Sequence, residues 1–460
     1  MASLCRAAWA CAAGRTFVTS FMRYGELEIA VTSSYQQVWY DTGSGASKDG
    51  KFFGPGSMAQ VFQGWRVLAH VGHRSHTDLS GKRAAILARE VNPSSALLRE
   101  PVDYQPVAKC TAGGVVVLGT AWRPVPPPGY VSLGDIITPG TQKPGLGPWT
   151  PYCVRKDAVG NRSYVREAEI GDVIWDDRGS GAKTDIALWA IKTPGYPADS
   201  TERLLLGVDG FVANNAYSKP SRSVYVLDLP PIISKQYPPA APVLTSHQMP
   251  EPRETLKVTD RAVLVPCTLV ADPSKTASWQ VSNSPFYTLE RRVNFYCQMH
   301  YDNSQGNSEQ EPTDSVTTGV SKEKSEEFSK RTSVTVTASA GIEIKAFSAS
   351  LDVSVTTELG YSSRYGVTQF EERTQTWPLK VPPRHSAALW SPRHEIIALR
   401  NDGDPVGGQG GLSFDVDSRI YTQHPLPPDE EEPQSLSKAI IAGDPQPFGE
   451  PQSQVPGYTG

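Results

Sequence analysis

Residues 332–359 constrain the fold of this chain more than any other stretch, because their polarity alternates with a strict period of two. From Thr332 to Lys345, small or apolar side chains occupy the even positions: Val334, Val336, Ala338, Ala340, Ile342 and Ile344. Ser333, Thr335, Thr337, Ser339, Glu343 and Lys345 fall between them. The phase then slips by one residue around Ala346. Phe347, Ala349, Leu351, Val353 and Val355 now alternate with Ser348, Ser350, Asp352, Ser354 and Thr356. A period of two places each set on its own face of a ribbon. A phase slip between two such runs predicts a hairpin that turns near Ala346.

The chemistry of the two faces narrows the options. One face is small-to-medium apolar, and the other is mostly hydroxyl-bearing, with a few charges. An ordinary amphipathic hairpin covering a sandwich fits this pattern. So does a segment that leaves a soluble fold and lines a water-filled barrel in lipid, since a strand needs about 9–11 residues to cross a bilayer. Lipid tolerates strands only in closed barrels.

Composition supports many short strands. Gly and Pro each occur 39 times in 460 residues, a density of punctuation that disfavours long helices. The length suits two or three domains. No run reaches the roughly 18 apolar residues of a transmembrane helix. A formal charge of −4 argues against nucleic acid as a partner. Cys5, Cys11, Cys110, Cys153, Cys267 and Cys297 lack metal-ligand spacing, and the fold is expected not to depend on disulfides. No acidic residue precedes Glu26, while Arg6, Arg15 and Arg23 do. The apolar segment Ala7–Ala13 is short for a secretory core, so an ordinary N-terminus is expected over a targeting peptide.

An internal repeat organises the N-terminal half. Trp39-Tyr40-Asp41-Thr42-Gly43-Ser44-Gly45-Ala46-Ser47-Lys48-Asp49 returns as Trp175-Asp176-Asp177-Arg178-Gly179-Ser180-Gly181-Ala182-Lys183-Thr184-Asp185, with seven of eleven positions identical. No third copy is evident. Repeated strand–turn–strand units predict pseudo-symmetric all-β structure over residues 15–228, preceded by an extension over 1–14. Residues 229–258 carry seven prolines and are expected to be a linker. Strand patterns resume over 259–424, and the acidic, Pro-rich segment 425–460 is expected to be a loose tail.

The segments Ala121-Trp122-Arg123-Pro124-Val125-Pro126, Gly129 to Asp135, Cys153-Val154-Arg155 and Trp175 to Gly181 resemble the family named for vacuolar protein sorting-associated protein 62. That resemblance implies a β-prism, three small sheets around a pseudo-threefold axis. The Ser/Thr hairpin followed by Thr376-Trp377-Pro378-Leu379-Lys380-Val381-Pro382-Pro383 resembles the aerolysin and epsilon-toxin/mosquitocidal group of β-pore-forming toxins. The expected fold is therefore all-β: an N-terminal β-prism with pseudo-threefold repeats, plus an elongated aerolysin-type β-sheet domain.

The resemblance implies a toxin that is soluble as made, secreted or released, then binds a glycan or protein receptor on a target-cell membrane. It would homo-oligomerise there and insert one hairpin per protomer, in defence or against insects. Val334, Val336, Ile342, Ile344, Phe347, Leu351, Val353 and Val355 would then face lipid. Thr335, Thr337, Glu343, Lys345, Asp352, Ser354 and Thr356 would face the lumen. The alternative is a non-lytic lectin-like binding or scaffold protein.

Gly45…Asp49 and Gly181…Asp185 share the Gly-x-x-x-Asp form that helps build the sugar site of jacalin-like β-prism lectins, and they are the candidate receptor contacts. A plain turn is the competing explanation. His70, His73 and His76 alternate sides in a strand and are expected in a solvated loop, with no metal. Asp402-Gly403-Asp404 lacks the ligands of a calcium loop, and no phosphate loop, dinucleotide fingerprint or nucleophile elbow occurs. No enzyme and no cofactor are expected. Among the tryptophans most are expected in the core, with Trp377, and Phe347 beside it in this respect, as the surface candidates.

Overall fold

A computed structural model describes residues 21–194, 203–237, 239–338, 342–348, 351–354, 359, 370–408 and 410–426. Its N-terminal half is a β-prism built from three repeats of one three-stranded antiparallel sheet. Tyr35–Tyr40, Lys51–Pro55 and Val71–His73 form the first. Asp103–Cys110, Gly119–Val125 and Ile136–Pro139 form the second. Val165–Asp176, Ala187–Lys192 and Phe211–Asn214 form the third, and in each the middle strand is central. Between the first two strands of every repeat lies a loop: 41–50, 111–118 and 177–186.

The repeat exists because three sheets of this size can bury their inner faces only against each other. Trp39, Phe52, Ala108, Cys110, Ala121, Trp175, Ile186, Leu188 and Phe211 fill the axis as one cluster. Two of the repeats pack on their neighbours in the same way. The Trp175 ring lies on Gly50 of the first repeat, where a Cβ would sit 2.5 Å from its Cδ1, and its Nε1 donates to Lys48 O at 2.9 Å. Trp39 lies in the same way on Gly119 of the second repeat, and its Nε1 donates to Val117 O at 2.9 Å.

The C-terminal half is one long antiparallel sheet in the order Ile232–Lys235, Val258–Pro266, Phe286–Asp302, Ser386–Leu399. Leu412–Asp415 and Ile420–His424 both pair along Ser386–Leu399. Phe286–Asp302 is a single strand of 17 residues, some 55 Å at about 3.3 Å per residue. Pairing of Ile232–Lys235 brings the start of the Pro-rich segment into this sheet. Pro230 and Pro231 stand just before an edge strand, where a missing N–H costs nothing.

Two further elements carry the amphipathic region. Thr313–Thr318 pairs with Arg373–Pro378, and a helix, Lys322–Thr332, leads into a three-stranded sheet of Val334–Thr337, Glu343–Ser348 and Leu351–Ser354. Trp377, expected at the surface, is fully buried with Met299, Val316, Leu379, Val381 and Leu389. The guanidinium of Arg419 covers its ring at 4.4 Å. Cys110, Cys153, Cys267 and Cys297 are free and buried, and burial pushes the Cys153 and Cys267 thiols up to about 12.

Candidate functional site

The 334–354 region is not a two-armed hairpin turning at Ala346. Val334 pairs with Ala346 and Val336 with Ile344, and Ala346 also pairs with Val353 on its other side. The chain therefore reverses twice, between Thr337 and Glu343 and between Ser348 and Leu351. Ser339, Ala340 and Gly341 lie outside the described residues. The phase slip at Ala346 falls within a central strand.

The faces follow the alternation. Val334, Val336, Ile342 and Ile344 are buried, whereas Thr335, Thr337 and Lys345 are half-buried and Glu343 is exposed. Lys345 and Glu343 form an ion pair at 3.0 Å on the outer face. Phe347, Leu351, Asp352, Val353 and Ser354 are described by backbone pairing alone, and Val355 and Thr356 lie outside the described residues.

What covers the apolar face is the helix Lys322–Thr332 together with a core shared by both halves of the molecule. Phe328, Val334, Val336, Ile342, Ile344, Leu359 and Phe370 belong to one cluster with Leu204, Leu206, Leu227 and Leu229 of the prism. Prism strand Leu204–Leu206 neighbours Leu351–Ser354. The helix is latched to the first strand by polar contacts: Ser325 Oγ donates to Val336 O, the Ser329 and Thr335 hydroxyls lie 2.8 Å apart, and Thr332 Oγ1 accepts from Val334 N at 3.1 Å. Glu323 in its first turn and Lys330 and Arg331 in its last complement the helix dipole.

The prism end holds the other candidates. Loops 41–50, 111–118 and 177–186 meet there: Ser47 N donates to Arg178 O at 2.8 Å, Val116 N to Thr42 O at 2.9 Å, and the Thr111 and Thr184 hydroxyls are 3.2 Å apart. The two repeated loops share one hydrogen-bond scheme. Asp41 Oδ1 accepts from Gly50 N at 3.0 Å, as Asp177 Oδ1 does from Ile186 N at 3.1 Å. Ser44 and Ser180 each accept from the second residue on, Ala46 N and Ala182 N, at 3.1 Å.

Loop 111–118 is the third copy that the sequence concealed. Cys110 stands where the other two have aspartate, and Ala108 where they have tryptophan; Gly113-Gly114 is the remaining signal. Gly43 and Gly114 face each other so closely that a Cβ on Gly43 would lie 2.2 Å from Gly114 O.

Gly45 and Gly181 both adopt the left-handed conformation, φ +73° and +69°. Asp49 is 63% exposed at the side chain, and its Oδ2 lies 3.9 Å from His76 Nδ1. Asp185 is half-buried. Nearby, Tyr217 OH donates to Asp177 Oδ1 at 2.9 Å. Burial, and then this bond to Asp177, raise the Tyr217 hydroxyl.

The three histidines do not share a solvated loop. His70 is buried with Nε2 3.1 Å from Trp149 O, His73 is half-buried, and His76 Nε2 lies 2.5 Å from Asp41 Oδ1. Ligand atoms of Asp41, Asp49 and His76 lie within 4.8 Å of one another. Asp41 is already engaged by Gly50 N, Ser44 Oγ, Trp175 Nε1 and His76, so this group is accounted for as a hydrogen-bonded loop anchor. No helix among the described residues is long and apolar enough to cross a membrane.

These features define an all-β protein in which a β-prism is joined to a long-sheeted module. Residues 3–220 match the family described as Vacuolar protein sorting-associated protein 62, and residues 261–378 match the family described as Insecticidal Crystal Toxin, P42. Neither description names an enzyme. No curated protein matches. Among solved structures, GNIP1Aa from Chromobacterium piscinae aligns at 22% identity and a TM-score of 0.34, over 44% of this chain and 37% of its own. Cry35Ab1 aligns at 10% identity and a TM-score of 0.32, over 88% of this chain and 91% of its own.

Proposed function

We propose that this chain is a β-pore-forming toxin of aerolysin-like mechanism, soluble as made, whose prism binds a receptor on a target membrane and whose 334–354 strands insert after homo-oligomerisation. The observation that carries this reading is the two-faced sheet itself. Its apolar side chains are sequestered under a polar helix and against the prism, while its other face carries threonines and one ion pair. In a closed barrel, the first face meets lipid and the second meets water.

The match of residues 261–378 to an insecticidal crystal toxin family supports an insect target. Gly45, Asp49, Gly181 and Asp185 stand on the exposed end of the prism and are the proposed receptor contacts. Removal of the segment after residue 424 by a target-gut protease is the proposed activation step.

Dye release from liposomes and from insect midgut vesicles, before and after mild trypsin treatment, tests the reading. Release accompanied by a detergent-resistant oligomer supports it. Vesicle binding with neither release nor oligomer, under both conditions, overturns it in favour of a non-lytic lectin-like binder.

A further inference from the structure

A cleft of about 690 Å³ opens between the prism and the C-terminal half, walled by residues 72–84, 172–192 and 209 on one side and 267–280 on the other. The two walls touch at its edge, where Ser278 N donates to Gly81 O at 3.4 Å. Five cations line it: Arg74, Lys82, Arg83, Lys192 and Lys275. Three carboxylates oppose them, and two of these are spent, Asp209 on Arg83 and Asp172 on Lys192 at 3.7 Å. Asp78 is exposed and turns back to accept from Ser80 N at 3.0 Å.

Arg74, Lys82 and Lys275 thus remain without a carboxylate in ion-pair range among the described residues. Arg74 donates to Val173 O at 2.6 Å, and Lys275 lies 4.4 Å over the Trp279 ring. In a chain of net charge −4, a concave site with surplus cations is a local reversal of the field.

A second observation concerns Thr268. It lines the cleft and is 7% exposed, yet its Oγ1 has no hydrogen-bond partner among the described residues. A buried hydroxyl left in this state is destabilising, and a ligand acceptor reaching it would supply the missing hydrogen bond. His73 on the same cleft is held below its ordinary range by burial and then by the charge of Arg83.

We propose that this cleft binds a sulfate or phosphate ester, with Lys82, Lys275 and Arg74 neutralising the oxyanion and the Thr268 hydroxyl donating to it. A sulfated glycan and a phospholipid headgroup share this chemistry. The proposal rests on the surface-binding reading above and gives its receptor a chemical class, at a cleft whose lining does not include Gly45, Asp49, Gly181 or Asp185. The turn Cys267–Leu269, which includes Thr268, also neighbours the strands Glu343–Ser348 and Leu351–Ser354. A ligand in the cleft therefore sits next to the support of the inserting segment.

The test is calorimetric titration of the full soluble chain with inorganic sulfate, with a heparin-derived oligosaccharide, and with phosphatidylcholine vesicles containing phosphatidic acid. Saturable binding of the oligosaccharide or the vesicles is expected, and whichever of the two binds identifies the source of the ester. Lys82→Glu/Lys275→Glu should weaken it roughly tenfold or more, since two charge-assisted contacts are reversed. Lys109→Glu, outside the cleft, should leave it unchanged. Thr268→Val should weaken binding about threefold or more while holding or raising the melting temperature, an outcome that a merely structural hydroxyl would not give.

No saturable binding to any of the three probes overturns the proposal. So does an equal loss of affinity in Lys109→Glu, which would reduce the effect to net charge. Binding is read without any pore, so failure here leaves dye release standing, and absence of dye release leaves this site standing.

Discussion

The indole of Trp175 donates to Asp41 Oδ2 at 2.8 Å across 134 residues of sequence, tying the third repeat of the prism to the loop of the first. The same N–H reaches Lys48 O, and Asp41 also accepts from Gly50 N, Ser44 Oγ and His76. Asp41 is therefore committed to holding the loop. The exposed Asp49 is left as the carboxylate of this loop with capacity for a ligand.

Trp175→Phe removes that donor and leaves a buried carboxylate oxygen and a carbonyl short of a partner. It should destabilise the prism by about 1–3 kcal/mol. Gly50→Ala should do comparable damage for a different reason, because its Cβ would have to share space with the Trp175 ring. Asp49→Asn, at an exposed position, should change stability by less than about 0.5 kcal/mol. Urea midpoints of the three variants check the ordering, and an Asp49→Asn loss equal to the others would contradict the division of labour between the two aspartates.

The helix–strand latch gives a direct handle on insertion. The hydroxyls of Ser329 and Thr335 lie 2.8 Å apart, so the two side chains face each other across the latch. Ser329→Cys/Thr335→Cys, once oxidised, should pin the strand Val334–Thr337 to its helix and bring dye release to baseline. Reduction should restore release, and each single variant should behave as the parent. An oxidised clamp that leaks at the parental rate would mean that helix and strand never part.

Acid should loosen the fold through His70. Burial holds this imidazole down to about 4, with the Trp149 carbonyl opposing the shift, against about 6.5 in an unfolded chain. Between those values the unfolded state binds more protons than the native one, so stability rises with pH across the interval. The contribution is complete above about pH 6.5 and is lost progressively towards pH 4, about 3 kcal/mol at its fullest. His394 acts in the same direction, held well below its ordinary value by burial and by Arg291. Stability measured by urea at intervals from pH 7 to pH 4 should show this slope, and His70→Phe should flatten it by close to one proton. An unchanged slope in that variant would place the acid sensitivity elsewhere.

How much of this was readable depended on whether the signal was local. The burial of Val334, Val336, Ile342 and Ile344 followed from alternation, because a strand's period directly separates its faces. The Asp41 and Asp177 loops followed from identity between two copies. The third loop escaped because Cys110 and Ala108 replace the residues that mark the other two, and only packing about the axis reveals the equivalence. The helix Lys322–Thr332 was equally silent. Phe328 is its one large apolar residue, so there is no periodic stripe, and its place is set by Ser325, Ser329 and Thr332 bonding to the strand that follows it. Trp377 stands beside a proline that suggests a turn, whereas the residue lies on a strand whose cover comes from Met299 and Val316, both distant in sequence, as well as from Leu389.

The pair Arg400–Asp272 lies deeper, inside the C-terminal half. Arg400 Nε and one terminal nitrogen donate to the two carboxylate oxygens at 2.7 and 2.9 Å, and Tyr287 OH adds a third bond at 3.0 Å. Asp272 is fully buried and Arg400 nearly so. Against the cost of burial, hydrogen bonds from Arg400, Ser274 and Tyr287 hold the carboxyl below its ordinary range, so it remains charged. Arg400→Met keeps the stem and deletes the charge, which strands Asp272 in a dry site and should cost about 3–5 kcal/mol. Asp272→Asn/Arg400→Met removes both charges and should recover a large part of that loss, since two neutral groups of similar shape leave no ion unpaired. Chemical denaturation of the single and double variants measures the difference. Equal stability of the two would show that the penalty lies in lost packing around the Arg400 stem rather than in the uncompensated charge.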